Sequence, residues 1–394
     1  MSDSLDKRAF IPLSVPHLGG REGEYVQQCI DTEWVSSAGA FVNRFEDDIV
    51  NYTGSQFAIA CVNGTAALHL SLLMAGVAPG NHVLVPSLTF IAPVNTVRYC
   101  NADPIFLDCD EFYNIDVDKL RRFLESETKF EDDCCIFKQT GQKISAIVPV
   151  HVFGGAVDME ALSTLCLEYK IPIVEDATES LGTRYKRGRL KGRHTGTIGQ
   201  FGCLSFNGNK IITCGGGGII LTDNEVAAKK LKYLSEQAKD DEQFFIHNEV
   251  GFNYRLTNIQ AAIGVAQLEQ LEQIILRKKD NFQRYKKNLT NTSRLKLIDF
   301  PPYCDSNHWF YSVQIDGYNR KNLRALISKL GSCNIQARPV WELNNRQEPY
   351  RNYHSFEISK ATELCEKTLN IPCSSNLTSN EVDYVCEKLI KETQ

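Results

Sequence analysis

Pro172–Gly218 reads PIVEDATESLGTRYKRGRLKGRHTGTIGQFGCLSFNGNKIITCGGGG, and two of its residues, Asp176 and Lys210, organise the reading of the whole chain. The apolar run IPIV ends in Glu175 and Asp176, the pattern of a buried parallel strand, and open α/β sheets bind ligands at the carboxyl ends of such strands. Lys210 follows a second apolar strand, FGCLSF, after a short polar turn. A lysine set among small residues beside apolar strands is open to desolvation, which favours the neutral amine and its use as nucleophile and base. One chemistry needs such a carboxylate and such an amine together: pyridoxal phosphate catalysis, with lysine as the Schiff base and aspartate at the pyridinium nitrogen. A solvated loop lysine and a strand-end cap fit the same two residues, so the rest of the chain must decide.

The 394 residues suit a large domain with a smaller one attached, and the hydrophobic share of 43% is that of a globular protein. A net charge of -5 gives no footprint for nucleic acid. The N-terminus has no apolar core of signal-peptide length and no stretch has the ~18 apolar residues of a membrane span, so a cytoplasmic protein is expected. Fourteen cysteines are scattered without a CxxC pair; they read as reduced and structural, with no metal site, and Cys134-Cys135 reads as an exposed pair.

Residues 1–20, with Pro12 and Pro16, form an expected arm that packs on a partner subunit. Two amphipathic helices follow, the first with Tyr25, Cys29 and Ile30 in helical spacing, the second burying Phe41, Phe45 and Val50. From residue 57 the alternation FAIACV, NGTAALHLSLLMAG, HVLVPS, FIAPVNTVRYCNA, PIFLDC predicts a mainly parallel sheet with helices on both faces. The turn Asn63-Gly64-Thr65 opens a helix, where free amides and the helix dipole suit a phosphate; an ordinary N-cap fits equally. FEDDCCIFKQTGQKI reads as a surface insert with a hairpin turn at Thr140-Gly141, and His151 as a hydrogen-bonding strand-end residue. The expected domains are 21–257 for the large α/β unit, 258–290 for one long connecting helix, and 291–394 for a small α+β unit.

The order of these signals is more specific than any one of them. VNGTAALH, VPSLTFIAP, VPVHVFG, EDATESLGT, SFNGNKIIT and GFNYRLTNIQAA together resemble the nucleotide-sugar aminotransferases named after DegT, DnrJ, EryC1 and StrS, from about residue 11 into the C-terminal domain. The resemblance implies the fold of aspartate aminotransferase and pyridoxal 5'-phosphate as cofactor. It implies Lys210 as the Schiff-base lysine, Asp176 at the pyridinium nitrogen, Phe90 stacked on the ring, and Gly64, Thr65 and Ser205 around the phosphate. Core packing remains open for Phe90. Asn253 would reach the phosphate from the neighbouring subunit of a homodimer, and Glu179 would lie near the cofactor 3-hydroxyl, or else pair with Arg184. The histidine that replaces lysine in the dehydratase offshoot is absent, which favours transamination. Within the family the motifs look closest to enzymes acting on UDP-4-keto-6-deoxy-N-acetylglucosamine, with L-glutamate as donor, in legionaminic acid and bacillosamine-type pathways. A GDP-4-keto-6-deoxymannose 4-aminotransferase of the perosamine type, and a non-catalytic cofactor-sensing protein, are the alternatives. Arg255 and Arg338 are candidate contacts for the donor carboxylate.

Overall fold

The computed structural model describes residues 9–241 and 243–394. In the large domain the strands are β1 (Phe57–Cys61), β2 (His82–Pro86), β3 (Asp103–Leu107), β4 (Ile144–Ile147), β5 (Val174–Asp176), β6 (Phe201–Ser205) and β7 (Gly218–Thr222). Pairings run β3-β2-β4 and β5-β6-β7-β1, and the parallel bridge Ile147–Ile173 joins the two halves into one sheet. All neighbours pair in parallel except β7, which is antiparallel to both β6 and β1. Strand interiors such as Val83–Val85, Ile105–Leu107 and Cys203–Leu204 are buried because helices cover both faces. The helix Gly64–Met74 is apolar almost all round and lies against β6 and β7.

The small domain holds β8 (Leu295–Leu297), β9 (Tyr311–Ile315), β10 (Arg338–Pro339) and β11 (Thr368–Ile371), antiparallel in the order β8-β9-β11-β10. Helices Arg320–Ser332, Lys360–Lys367 and Ser379–Thr393 complete it, the last closed by a Thr378/Glu381 capping box.

Four expectations change. The expected helix 258–290 is two, Asn258–Leu268 and Leu271–Leu289. At the break the Gln270 amide nitrogen bonds Gln267 O, while its side chain donates to Ala266 O (3.2 Å) and to Glu22 Oε1 (3.0 Å), so a local side-chain bond displaces the helical one. The insert hairpin, Thr128–Glu131 with Cys134–Phe137, turns at Asp132-Asp133, both with positive φ; Thr140-Gly141 makes a second turn, and Cys135 is buried beneath, not exposed. Tyr25 and Cys29 are buried, four residues apart, whereas Ile30 lies one step round the helix and is exposed. The second helix buries Val42, Phe45 and Ile49, with Phe41 and Val50 at the edges of that face.

Residues 1–8 of the expected arm lie outside the described residues. The rest of the arm is held by its own chain: Ile11 bridges Ile335, Leu13 N donates to Gln336 Oε1 (2.9 Å), and Cys373 N donates to Leu13 O (2.8 Å).

Candidate active site

Asp176 ends β5 beside β6, in register with Cys203, and its peptide is tied to Pro149 O and His151 N. Its side chain is buried, with Oδ1 accepting from Thr178 N at 3.1 Å. Burial raises the Asp176 pKa, and the Thr178 hydrogen bond and the Lys210 charge oppose that rise. One residue earlier, Glu175 faces away into a buried network. Burial works against its charge, but His151 Nε2 at 2.9 Å and the amides of Gly196, Ile198 and Gly199 hold it below the usual carboxylate range. His151 is thus spent on Glu175 and the Val157 amide (3.1 Å), a structural post.

Lys210 sits on a loop that closes on itself. Phe206 N donates to Gly217 O (2.9 Å) and Cys214 N to Phe206 O (2.9 Å), while a turn links Lys210 N to Asn207 O (3.0 Å). Gly215 and Gly217 take positive φ, and a Cβ on Gly218 would lie 2.4 Å from Asn63 O, so the glycine run lets the strand meet the helix entrance. Lys210 Nζ lies 3.9 Å from Glu179 Oε1 and 4.5 Å from the centroid of Trp309. Glu179 is 4% exposed, and its Oε2 accepts from Phe153 N at 2.8 Å. Burial pushes the Glu179 carboxyl up to about 7, against the opposing Lys210 charge. Arg184 instead bonds Tyr52 O and Gly192 O, so the Glu179–Arg184 pairing is not formed.

The helix Gly64–Met74 starts on Asn63, whose side chain caps Ala66 N (2.8 Å); helix geometry leaves the Gly64 and Thr65 amides without intrahelical acceptors. The N-cap is formed, and it leaves those two amides open. A Cβ on Gly64 would stand 2.9 Å from Ser205 Cβ and 3.1 Å from the Thr178 methyl. Gly64, Thr178 and Ser205 thus converge on a cradle that a side chain at residue 64 would fill.

A cavity of about 350 Å³ is lined by Phe90, Glu179, Lys210, Trp309, Arg338 and Trp341, among others. Phe90 is 54% exposed, so it is a wall of this cavity and not part of the core. Asn253 and Arg255 line a separate cleft with no residue in common. Arg255 is buried there against Glu46 (2.6 Å) and Ala60 O (3.2 Å), which removes it as a free carboxylate contact on this cavity. Trp309, Trp341 and Phe153 were not singled out from the sequence. They come from the small domain and from a strand-end loop, and only the tertiary fold brings them to Lys210; the HWFYS run was the one available signal. Trp309 is fixed by Nε1 donating to Asn209 O (2.7 Å) and by stacking on Phe310 (4.0 Å).

The model of the DegT/DnrJ/EryC1/StrS aminotransferase family matches residues 16–390. The chain belongs to that family. It is 35% identical over 384 residues to the GDP-perosamine synthase of Caulobacter vibrioides, covering 96% of this chain and 97% of that one. It is also 35% identical over 387 residues to EpsN of Bacillus subtilis, named for a pyridoxal phosphate-dependent aminotransferase, covering 96% and 95%. Among solved structures, a family aminotransferase from Brucella abortus superposes with a TM-score of 0.84 at 25% identity, covering 94% of each chain. This chain is a pyridoxal phosphate-dependent sugar aminotransferase with the α/β fold of its family. The cradle, the buried carboxylate and the lysine are a donor set that fits that cofactor. Among the described residues no helix is long and apolar enough to cross a membrane.

Proposed function

We propose that the chain transfers the amino group of L-glutamate to C4 of a UDP-linked 4-keto-6-deoxy-N-acetylhexosamine, by a ping-pong reaction in which one cavity serves both substrates. The observation that carries this reading is that Lys210 and Glu179 line one cavity, while the buried Asp176 feels the Lys210 charge and bonds Thr178 of the cradle that Gly64 and Ser205 complete. Pyridoxal phosphate, when bound, supplies an electron sink for the pair left as the donor Cα–H bond breaks.

Lys210 would hold the cofactor and, once displaced by the donor amine, carry the proton from the donor Cα; in the second half-reaction it would deliver a proton to sugar C4. Such positioned proton transfer is worth roughly 10²–10⁴ in rate. Asp176, buried where it feels the Lys210 charge, would keep the ring nitrogen protonated. Gly64, Thr65 and Ser205 would hold the phosphate through amides and a hydroxyl, and Phe90 would cover the ring. Asn253 faces a cleft away from its own Lys210, as a residue serving the partner's site would in a homodimer. A protein of this kind would work in the cytoplasm.

A GDP-linked 4-keto-6-deoxymannose acceptor is the second reading, supported by the GDP-perosamine synthases of Caulobacter vibrioides and of Escherichia coli O157:H7, the latter 33% identical over 382 residues. The test is turnover with L-glutamate and each keto-sugar nucleotide, beside Lys210→Ala. Faster turnover of the UDP ketone supports the first reading and of the GDP ketone the second; full activity in Lys210→Ala ends both.

A further inference from the structure

Three charged side chains line the Lys210 cavity: Glu179, Lys210 and Arg338. The first two are close to each other, and Glu179 is buried on the Phe153 amide. Arg338 is different. Its side chain is exposed, and among the described residues it has neither a carboxylate nor a hydrogen-bond acceptor. The nearby acid Glu342 is engaged by Arg320 at 3.1 Å and Arg346 at 3.8 Å.

The backbone that presents Arg338 is nonetheless firmly held. β10 pairs with β11 through Arg338–Asn370, and two residues earlier Gln336 is clamped to the arm, its N–H on Ile11 O and its Oε1 on Leu13 N, both at 2.9 Å. Leu13, Ser14 and Gln336 line the same cavity, so the arm and β10 together form the wall from which the guanidinium projects. Arg338 also borders an adjoining groove lined by Arg320 and Arg324, which leaves room for an anion longer than the cavity itself. A fixed strand bearing a cation that no described residue neutralises is the arrangement of an anion contact.

We propose that Arg338 is the anion contact of the Lys210 cavity, taking an oxygen anion of the substrate in a charge-assisted hydrogen bond. The site rests on the aminotransferase reading, and that chemistry offers two sources for the anion: a carboxylate of the amino-acid donor and the diphosphate of the sugar nucleotide.

Calorimetric titration of the cofactor-loaded protein with 2-oxoglutarate, and separately with UDP, compares the wild type with Arg338→Met and Arg338→Lys. Because Arg338 is exposed and has no partner among the described residues, both variants should melt with the wild type. Arg338→Met is expected to bind one or both probes at least roughly tenfold more weakly, with partial recovery in Arg338→Lys, which keeps the charge but not the fork. Loss confined to 2-oxoglutarate assigns the donor carboxylate, loss confined to UDP assigns the diphosphate, and loss of both assigns a contact shared by the two half-reactions. Equal binding in wild type and Arg338→Met, or no binding of either probe by the wild type, overturns the proposal. Binding that depends on Arg338 in a protein that transaminates neither ketone would leave the anion contact standing and remove the proposed function.

Discussion

Glu179→Gln isolates one ionisation that the fold holds far from its usual range. The carboxyl moves from 4.5 to about 7 because burial disfavours its charge more than Lys210 favours it. Between those two pH values the folded protein keeps a proton that the unfolded chain has released. The stability this proton contributes is fully present below 4.5 and is lost as pH rises through about 7. At ~1.4 kcal/mol per pH unit the loss across the window is on the order of 3 kcal/mol. Glutamine has nearly the same shape and can accept the Phe153 amide through its carbonyl oxygen, but it does not titrate. Urea unfolding of the cofactor-free wild type and Glu179→Gln, from about pH 5 to about pH 8, should therefore show the variant gaining on the wild type by about 2–3 kcal/mol as pH rises. Titrating groups that do not interact with Glu179 are common to both proteins and cancel in the difference. Parallel pH curves would refute the burial argument and, with it, the picture of a Glu179 protonated about half the time at neutral pH.

Gly64→Ala places a Cβ 2.9 Å from Ser205 Cβ; the folded protein should form, with unchanged far-ultraviolet circular dichroism, but retain pyridoxal phosphate at least roughly tenfold less tightly on dialysis. If Asn253 serves the partner's site, mixing inactive Lys210→Ala with inactive Asn253→Ala and reassociating the subunits should restore about a quarter of wild-type turnover, since half the dimers then carry one intact site. No recovery on mixing would place Asn253 on its own chain's chemistry or on none.

The sheet was legible because its strands are short apolar runs separated by helices of distinct period; Asp176 stood out because it ends such a run, and Lys210 because it follows one after a short polar turn. Gly64, Ser205 and Glu179 followed from motif order, and the structure shows why the order matters: strands β5 and β6 and the entrance of the helix Gly64–Met74 meet at one sheet edge. Trp309 and Trp341 were not legible, since nothing local distinguishes a core tryptophan from one whose indole plane meets a lysine about a hundred residues away. The break between Leu268 and Leu271 was hidden for a related reason. No Pro or Gly marks it, and its cause is a pair of glutamines turning to Glu22, some 245 residues earlier. Asp132-Asp133 was the readable miss: two acidic residues that tolerate positive φ made the tighter hairpin turn, while Gly141 drew attention to the second.

The arm has a consequence for the order in which the protein can be made. Ile11 leaves the ribosome more than three hundred residues before its partners, Asn334, Ile335 and Gln336, and Cys373, which bonds Leu13, emerges later still. Large-domain strands β1 to β7 can pair during synthesis, N-terminal part first. The wall bearing Arg338 cannot, because it is stitched from segments more than three hundred residues apart. Until residues 334–373 have emerged, a nascent molecule would have its lysine loop and its cradle but no closed cavity, so the complete site forms late in synthesis.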